Sequence, residues 1–93
     1  MSNVKIFLPS VLANIAKGEK IIEVSASTLE EAIKELVKIY GDPFRDKIFD
    51  STGKPRRLLN FYVNGKNVIF AKGLATQLAD GDKVSILPAI SGG

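Results

Sequence analysis

The chain ends in Ser91-Gly92-Gly93. Two residues without side chains let a backbone enter a narrow channel and present its α-carboxylate to a reagent such as ATP. A carboxylate becomes an acyl donor once it is converted to an acyl-adenylate, from which a nucleophile displaces AMP. The chain carries no phosphate-cradling glycine loop for that step, so the activation is assigned to a partner enzyme. The chain itself is expected to be a carrier and not an enzyme, to bind no cofactor, and to depend on ATP used by the partner.

Other chemistries are removed by composition. With no Cys there are no disulfides, iron–sulfur clusters or thiolate zinc sites, and with no His the commonest general base and metal ligand is missing. No G-x-S-x-G elbow presents a serine nucleophile. A catalytic or metal site is therefore not expected. The net charge is +3, and its placement says more than its size. Arg45, Lys47, Lys54, Arg56 and Arg57 stand against Asp46 and Asp50, which accounts for the whole excess. This segment reads either as a landing patch for an acidic partner or phosphate backbone, or as a solvated loop.

These residues need a scaffold. At 93 residues and 45% hydrophobic, the chain has the size and balance of one domain with one core. No apolar run approaches the ~18–20 residues of a membrane span, and Met1-Ser2-Asn3 lacks the basic start of a signal peptide. A soluble, cytoplasmic protein is expected.

Residues 4–8 and 21–24 read as strands around a loop over 10–20, forming a first hairpin. Thr28 and Glu31 fit a capping box, and Leu29, Ala32, Ile33, Leu36, Val37 and Tyr40 recur at helical spacing to make one apolar stripe. Gly41 suits a left-handed position after that helix, and Pro43 prevents its continuation. A short helical turn is expected around 44–49, then a flexible turn over 51–55. Residues 58–63 read as a strand, Asn64-Gly65 as a type I′ turn, and 67–70 as the returning strand. A helical turn over 74–78, a tight turn at Asp80-Gly81-Asp82 and a last strand over 83–87, closed by Pro88, complete the order. Leu29, Ile33, Leu36 and Val37 should pack on Ile6, Leu8, Ile22, Phe61, Val63, Val84 and Ile86.

One amphipathic helix among five strands favours a mixed sheet packed against it, with first and last strands parallel at the centre. The fold class is α+β: a ubiquitin-like β-grasp over 1–88, with a flexible tail over 89–93. Strand alternation turns Phe7, Tyr62 and Leu87 to the outer face, where no second helix is available to cover them. With Pro88 and Ile90 they are the expected partner-binding residues.

The segment from Leu78 through Asp80-Gly81-Asp82, Val84-Ser85-Ile86-Leu87-Pro88 and Ser91-Gly92-Gly93 resembles the C-terminal signature of the MoaD/ThiS sulfur carriers. Its elements are a Gly-Asp turn, an apolar strand, a following Pro and a terminal Gly-Gly. The first strand, the capped helix and Val63-Asn64-Gly65 also fall where that family has them. The Pro and Ser-Gly-Gly ending is most similar to the molybdopterin synthase small subunit.

The resemblance implies that a ubiquitin-activating-type adenylyltransferase adenylates Gly93, that a thiocarboxylate then forms there, and that Gly92 and Ser91 belong to the same tail. It further implies delivery of sulfur to a pterin precursor held by the large subunit of molybdopterin synthase, in molybdenum cofactor biosynthesis. The same tail would also serve a ubiquitin-like modifier of lysines, or a carrier for tRNA thiolation or thiamine synthesis. A nucleic-acid-binding β domain using the basic segment, with Tyr62 as a stacking platform, is disfavoured, because one aromatic beside a basic loop is a weak signature.

Overall fold

Val4, Ile6 and Leu8 alternate with polar or half-buried neighbours, and this period of two sets the first strand's inward face. The computed structural model describes residues 2–68 and 71–88. Strand β1 (Ser2–Phe7) pairs antiparallel with β2 (Ile21–Ala26), with Val4 opposite Val24 and Ile6 opposite Ile22. Strand β5 (Lys83–Pro88) runs parallel to β1, with Ile6 opposite Val84, and antiparallel to β3 (Leu59–Val63), with Phe61 opposite Ile86. The short β4 (Lys66–Asn67) pairs with β3, giving one sheet in the order β2-β1-β5-β3-β4. This is the mixed five-stranded β-grasp sheet with its first and last strands parallel at the centre.

The long helix follows β2. In α2 (Leu29–Tyr40) the Thr28 side chain accepts from the Glu31 N–H at 3.2 Å, while the Glu31 carboxylate accepts from the Ser27 N–H at 2.9 Å. The capping box thus closes one residue earlier than the usual reciprocal pair. The apolar stripe buries Leu29, Ala32, Ile33 and Leu36 completely, with Val37 and Tyr40 at its margin. Gly41 adopts φ 82°, a value that suits glycine, and its N–H donates to the Val37 carbonyl at 2.7 Å.

Five local expectations need correction. The segment over 10–20 is not simply a loop: α1 (Ser10–Ala13) forms one helical turn whose first N–H donors, Leu12 and Ala13, both reach the Pro9 carbonyl. It buries Leu12, Ala13 and Ala16, so apolar burial organises what Gly18 and mixed polarity suggested was irregular. The turn around 44–49 is a fuller helix, α3 (Asp42–Ile48), that begins immediately after Gly41 with Pro43 in its first turn, where a missing N–H costs nothing. The strand over 58–63 begins at Leu59, because Leu58 lies in a turn and is 68% exposed. The helical turn over 74–78 is a single 3₁₀ turn at Gly73–Ala75, after which Gln77 bridges Thr28. The returning strand expected over 67–70 is seen as Lys66–Asn67, and Ile69 and Phe70 lie outside the described residues.

The core lies between the sheet's inner face and the helices. Ile6, Leu8, Ile22, Phe61, Val84 and Ile86 are buried as expected, whereas Val37 and Val63 are only partly so. Phe44 and Ile48 of α3 are fully buried and extend the core beyond the α2 stripe. Asn64 and Gly65 take φ 52° and 85°, the paired positive values of a type I′ turn between β3 and β4.

Candidate functional site: the outer sheet face and the end of strand β5

The pleat sends alternate residues of each strand to the face opposite the helices. One row of register partners crosses the whole sheet there: Ile21, Phe7, Ser85, Tyr62 and Asn67. Leu87 lies one step along β5 on the same face, opposite Asn60. Ile21 is 56% and Leu87 46% exposed, while Phe7 and Tyr62 are half-buried. Glu23, Lys5 and Lys83 form the next row, so apolar side chains occupy the middle and the β5 end while charge occupies the other. The sheet therefore brings Phe7, Tyr62 and Leu87 onto one face.

Pro88 is placed differently. Its register partner is Leu59, which is buried, so Pro88 follows the opposite parity and lines a groove with Val11, Leu12, Leu58 and Leu59. Asp46, Lys47 and Arg56 complete that lining. The groove depends on α1 and the turn after it, where the buried Leu12 and Ala16 recur at a four-residue spacing that could have announced a helical turn. Ile90, Ser91, Gly92 and Gly93 lie outside the described residues.

The basic segment is divided by α3. Lys47 and Arg56 line the groove beside Pro88, whereas Arg45 lines another with Lys34, Lys38 and Phe49. Arg56 Nε donates to the Asp46 carbonyl at 2.7 Å. Asp50 accepts from the Thr52 hydroxyl, the Thr52 N–H and the Lys54 N–H; the Thr52 bonds chiefly hold its carboxyl below the usual carboxylate range. Tyr62 sits on the outer sheet face and contributes to neither basic groove, so these residues do not form the stacking platform of a single-strand binder.

The start of β5 is fixed by polar groups around two turns. Asp82 accepts from the Ala79 N–H at 2.8 Å and from Asn64 Nδ2 at 2.9 Å, and these bonds, the Ala79 one first, lower its pKa. Asn64 Oδ1 accepts in return from the Lys83 N–H at 3.0 Å. The β3–β4 turn is thereby tied to the turn that launches β5. Among the described residues no group of three or more acidic, His or Cys side chains could hold a metal, and no helix is long and apolar enough to cross a membrane.

A β-grasp sheet with an uncovered apolar outer face and a central last strand leading to Gly92-Gly93 defines the ubiquitin-like class of carriers and modifiers. Residues 6–93 match the family model of the ThiS family. The chain belongs to that family and is a sulfur carrier of the ThiS/MoaD/CysO type.

It is 41% identical over 93 residues to the sulfur carrier protein CysO of Mycobacterium tuberculosis, covering 98% of this chain and 99% of the relative. A crystal structure of Mycobacterium tuberculosis CysO superposes with a TM-score of 0.83 over 94% of this chain and 99% of that one, at 39% identity. A chain from the Amycolatopsis orientalis BexX/CysO complex matches at 32% identity and TM-score 0.82, covering 97% and 99%. The small archaeal modifier protein 1 of Methanosarcina acetivorans matches at 28% identity and TM-score 0.86, covering 100% and 98%.

Proposed function

We propose that this chain carries sulfur as a thiocarboxylate on Gly93. A partner adenylyltransferase of the ubiquitin-activating type joins the Gly93 carboxylate to the α-phosphorus of ATP and releases pyrophosphate. Hydrosulfide, or an equivalent sulfur nucleophile, then attacks the acyl carbon, AMP leaves, and a C(=O)S⁻ group remains. The chain provides the acyl group and the docking face; the partner provides the nucleotide chemistry. The observation that carries this reading is the family match over 6–93, which includes the Gly92-Gly93 ending.

The thiocarboxylate is then consumed on a second partner that holds the acceptor. The similarity to a chain of the Amycolatopsis BexX/CysO complex supports a carrier that docks on a partner protein. The narrower role as small subunit of molybdopterin synthase, with a pterin precursor as acceptor, rests on Pro88 and the Ser-Gly-Gly ending, and the relatives named CysO do not favour it. The likeness to an archaeal modifier supports a second reading, in which the activated Gly93 acylates lysines instead.

Intact mass spectrometry after incubation with ATP, sulfide and the host's activating enzyme tests the proposal. The expected product gains the mass of one oxygen-to-sulfur exchange at the C-terminus, and deletion of Gly93 abolishes it. Unimpaired exchange in the deletion variant refutes it. Mass additions equal to whole proteins, with no sulfur exchange, select the modifier reading. Supplying the thiocarboxylated chain to candidate large subunits then identifies the acceptor.

A further inference from the structure

The groove beside Pro88 lies on the helix side of the sheet, apart from the row holding Phe7 and Tyr62. Its apolar wall is formed by Val11 and Leu12 of α1, by Leu58 in the turn before β3 and Leu59 at its start, and by Pro88. Val11 is 46% and Leu58 68% exposed, so two large side chains that the core does not need stand at its mouth. Val11 and Leu58 together form an exposed apolar patch in a groove, the kind of surface that marks an interaction site more than either side chain alone would.

The charged part of the lining suggests what does. Arg56 is held by its Nε–H on the Asp46 carbonyl at 2.7 Å, which fixes the guanidinium plane while using only one of its five donors. The ion pairs among the described residues are Glu30 with Lys34 and Glu35 with Lys38, both on α2, so neither Arg56 nor Lys47 has a carboxylate of those residues within 4.0 Å. Asp50 feels Arg56 only weakly, and its carboxylate is already engaged by Thr52 and Lys54. Among the described residues, the groove thus offers an oriented guanidinium with no carboxylate partner beside an apolar wall.

We infer that this groove docks an acidic segment of a partner protein, one that places an apolar side chain against Val11 and Leu58 and a neighbouring carboxylate on Arg56. A carboxylate accepts two parallel N–H bonds from such a fork, and the bond to the Asp46 carbonyl lowers the ordering cost on the Arg side. Asp46 at the rim repels an acidic segment, but Arg56 and Lys47 carry two positive charges against its one, so the lining as a whole favours an acidic segment over a basic one. The inference does not depend on whether Gly93 carries sulfur.

The test is an NMR titration of the isotopically labelled chain with an amidated pentapeptide of alternating Asp and Leu, run beside peptides in which Ser or Lys replaces Asp. The acidic peptide is expected to shift the amide signals of Leu12, Lys47, Arg56, Leu58 and Leu59 progressively, with a salt-dependent affinity at least roughly tenfold above that of the Ser peptide. Arg56→Gln and Leu58→Ser should each weaken it, and both sites are exposed enough that the amide spectrum outside the groove should persist. If Arg56→Gln does not fold, Lys47→Gln takes its place. Equal affinity for the Lys peptide, shifts mapping to Phe7, Tyr62 and Ser85 instead, or no shifts at all would overturn the inference.

Discussion

Asp82 accepts two hydrogen bonds at the point where the chain enters β5, and its depressed pKa makes those bonds a pH-dependent part of the fold. A carboxylate whose pKa is lower in the folded state stabilises fully above its unfolded value, ordinarily about 3.9, and that contribution disappears as pH falls through the folded value. Asp82→Asn should therefore lower the urea midpoint at pH 7 and narrow the difference between the midpoints at pH 7 and pH 3. Asp50, with a shift of the same sign, keeps some acid sensitivity in the variant. An equal midpoint difference in wild type and variant would show that the Asp82 bonds do not favour its charged form. At the other end of β5, Leu87 is 46% exposed on the apolar face. Leu87→Asp should leave thermal unfolding nearly unchanged while weakening titrated binding to the activating enzyme by more than about 1–2 kcal/mol, the loss expected at the centre of an interface. Unchanged affinity would move the docking face elsewhere.

Among the elements, α3 contributes most beyond what its length suggests. Phe44 and Ile48 are fully buried, and the Phe44 ring lies 5.6 Å from that of Tyr40, so α3 caps the open end of the layer between α2 and the sheet. Phe44→Ala should destabilise by about 3–5 kcal/mol in chemical denaturation, because the space it vacates is walled by a rigid sheet and α2. A loss below about 1 kcal/mol would mean that α3 swings in to fill the gap. The α2 stripe, its Thr28 cap, the Asn64-Gly65 turn and the parallel pairing of the first and last strands at the centre were legible because each rests on local chemistry, a strict period or the order of the elements. Phe44 and Ile48 were less so, since seven helical residues give too few turns for a stripe to stand out from the charges around it. Likewise Pro9 hid α1: a residue unable to donate to a ladder ends a strand, but its carbonyl also accepts the first bonds of a helical turn. On the site, alternation placed Phe7, Tyr62 and Leu87 on one face, while Pro88 changed sides with its parity and joined a groove that only tertiary packing creates.

At the scale of the whole molecule, β5 is the element that unites the sheet. Among the described residues, the β1–β2 and β3–β4 pairs are joined within the sheet only through it. A chain ending at Asp82 should lose cooperative unfolding and its native circular dichroism spectrum, because two isolated hairpins are each marginal in water. A sharp thermal transition in that variant would show that α2 and α3 can hold the two halves without it. The parallel pairing of β1 and β5 also has a mechanical side. Ser2 and Pro88 sit at opposite ends of this central pair, so tension between the two termini acts along the strands and strains the backbone bonds joining them together, whereas a hairpin pulled at its open end yields one rung at a time. Tension between Ser2 and the segment after Pro88 thus loads the β1–β5 rungs in parallel rather than in sequence, and the same sheet that offers the tail resists being unravelled along that axis.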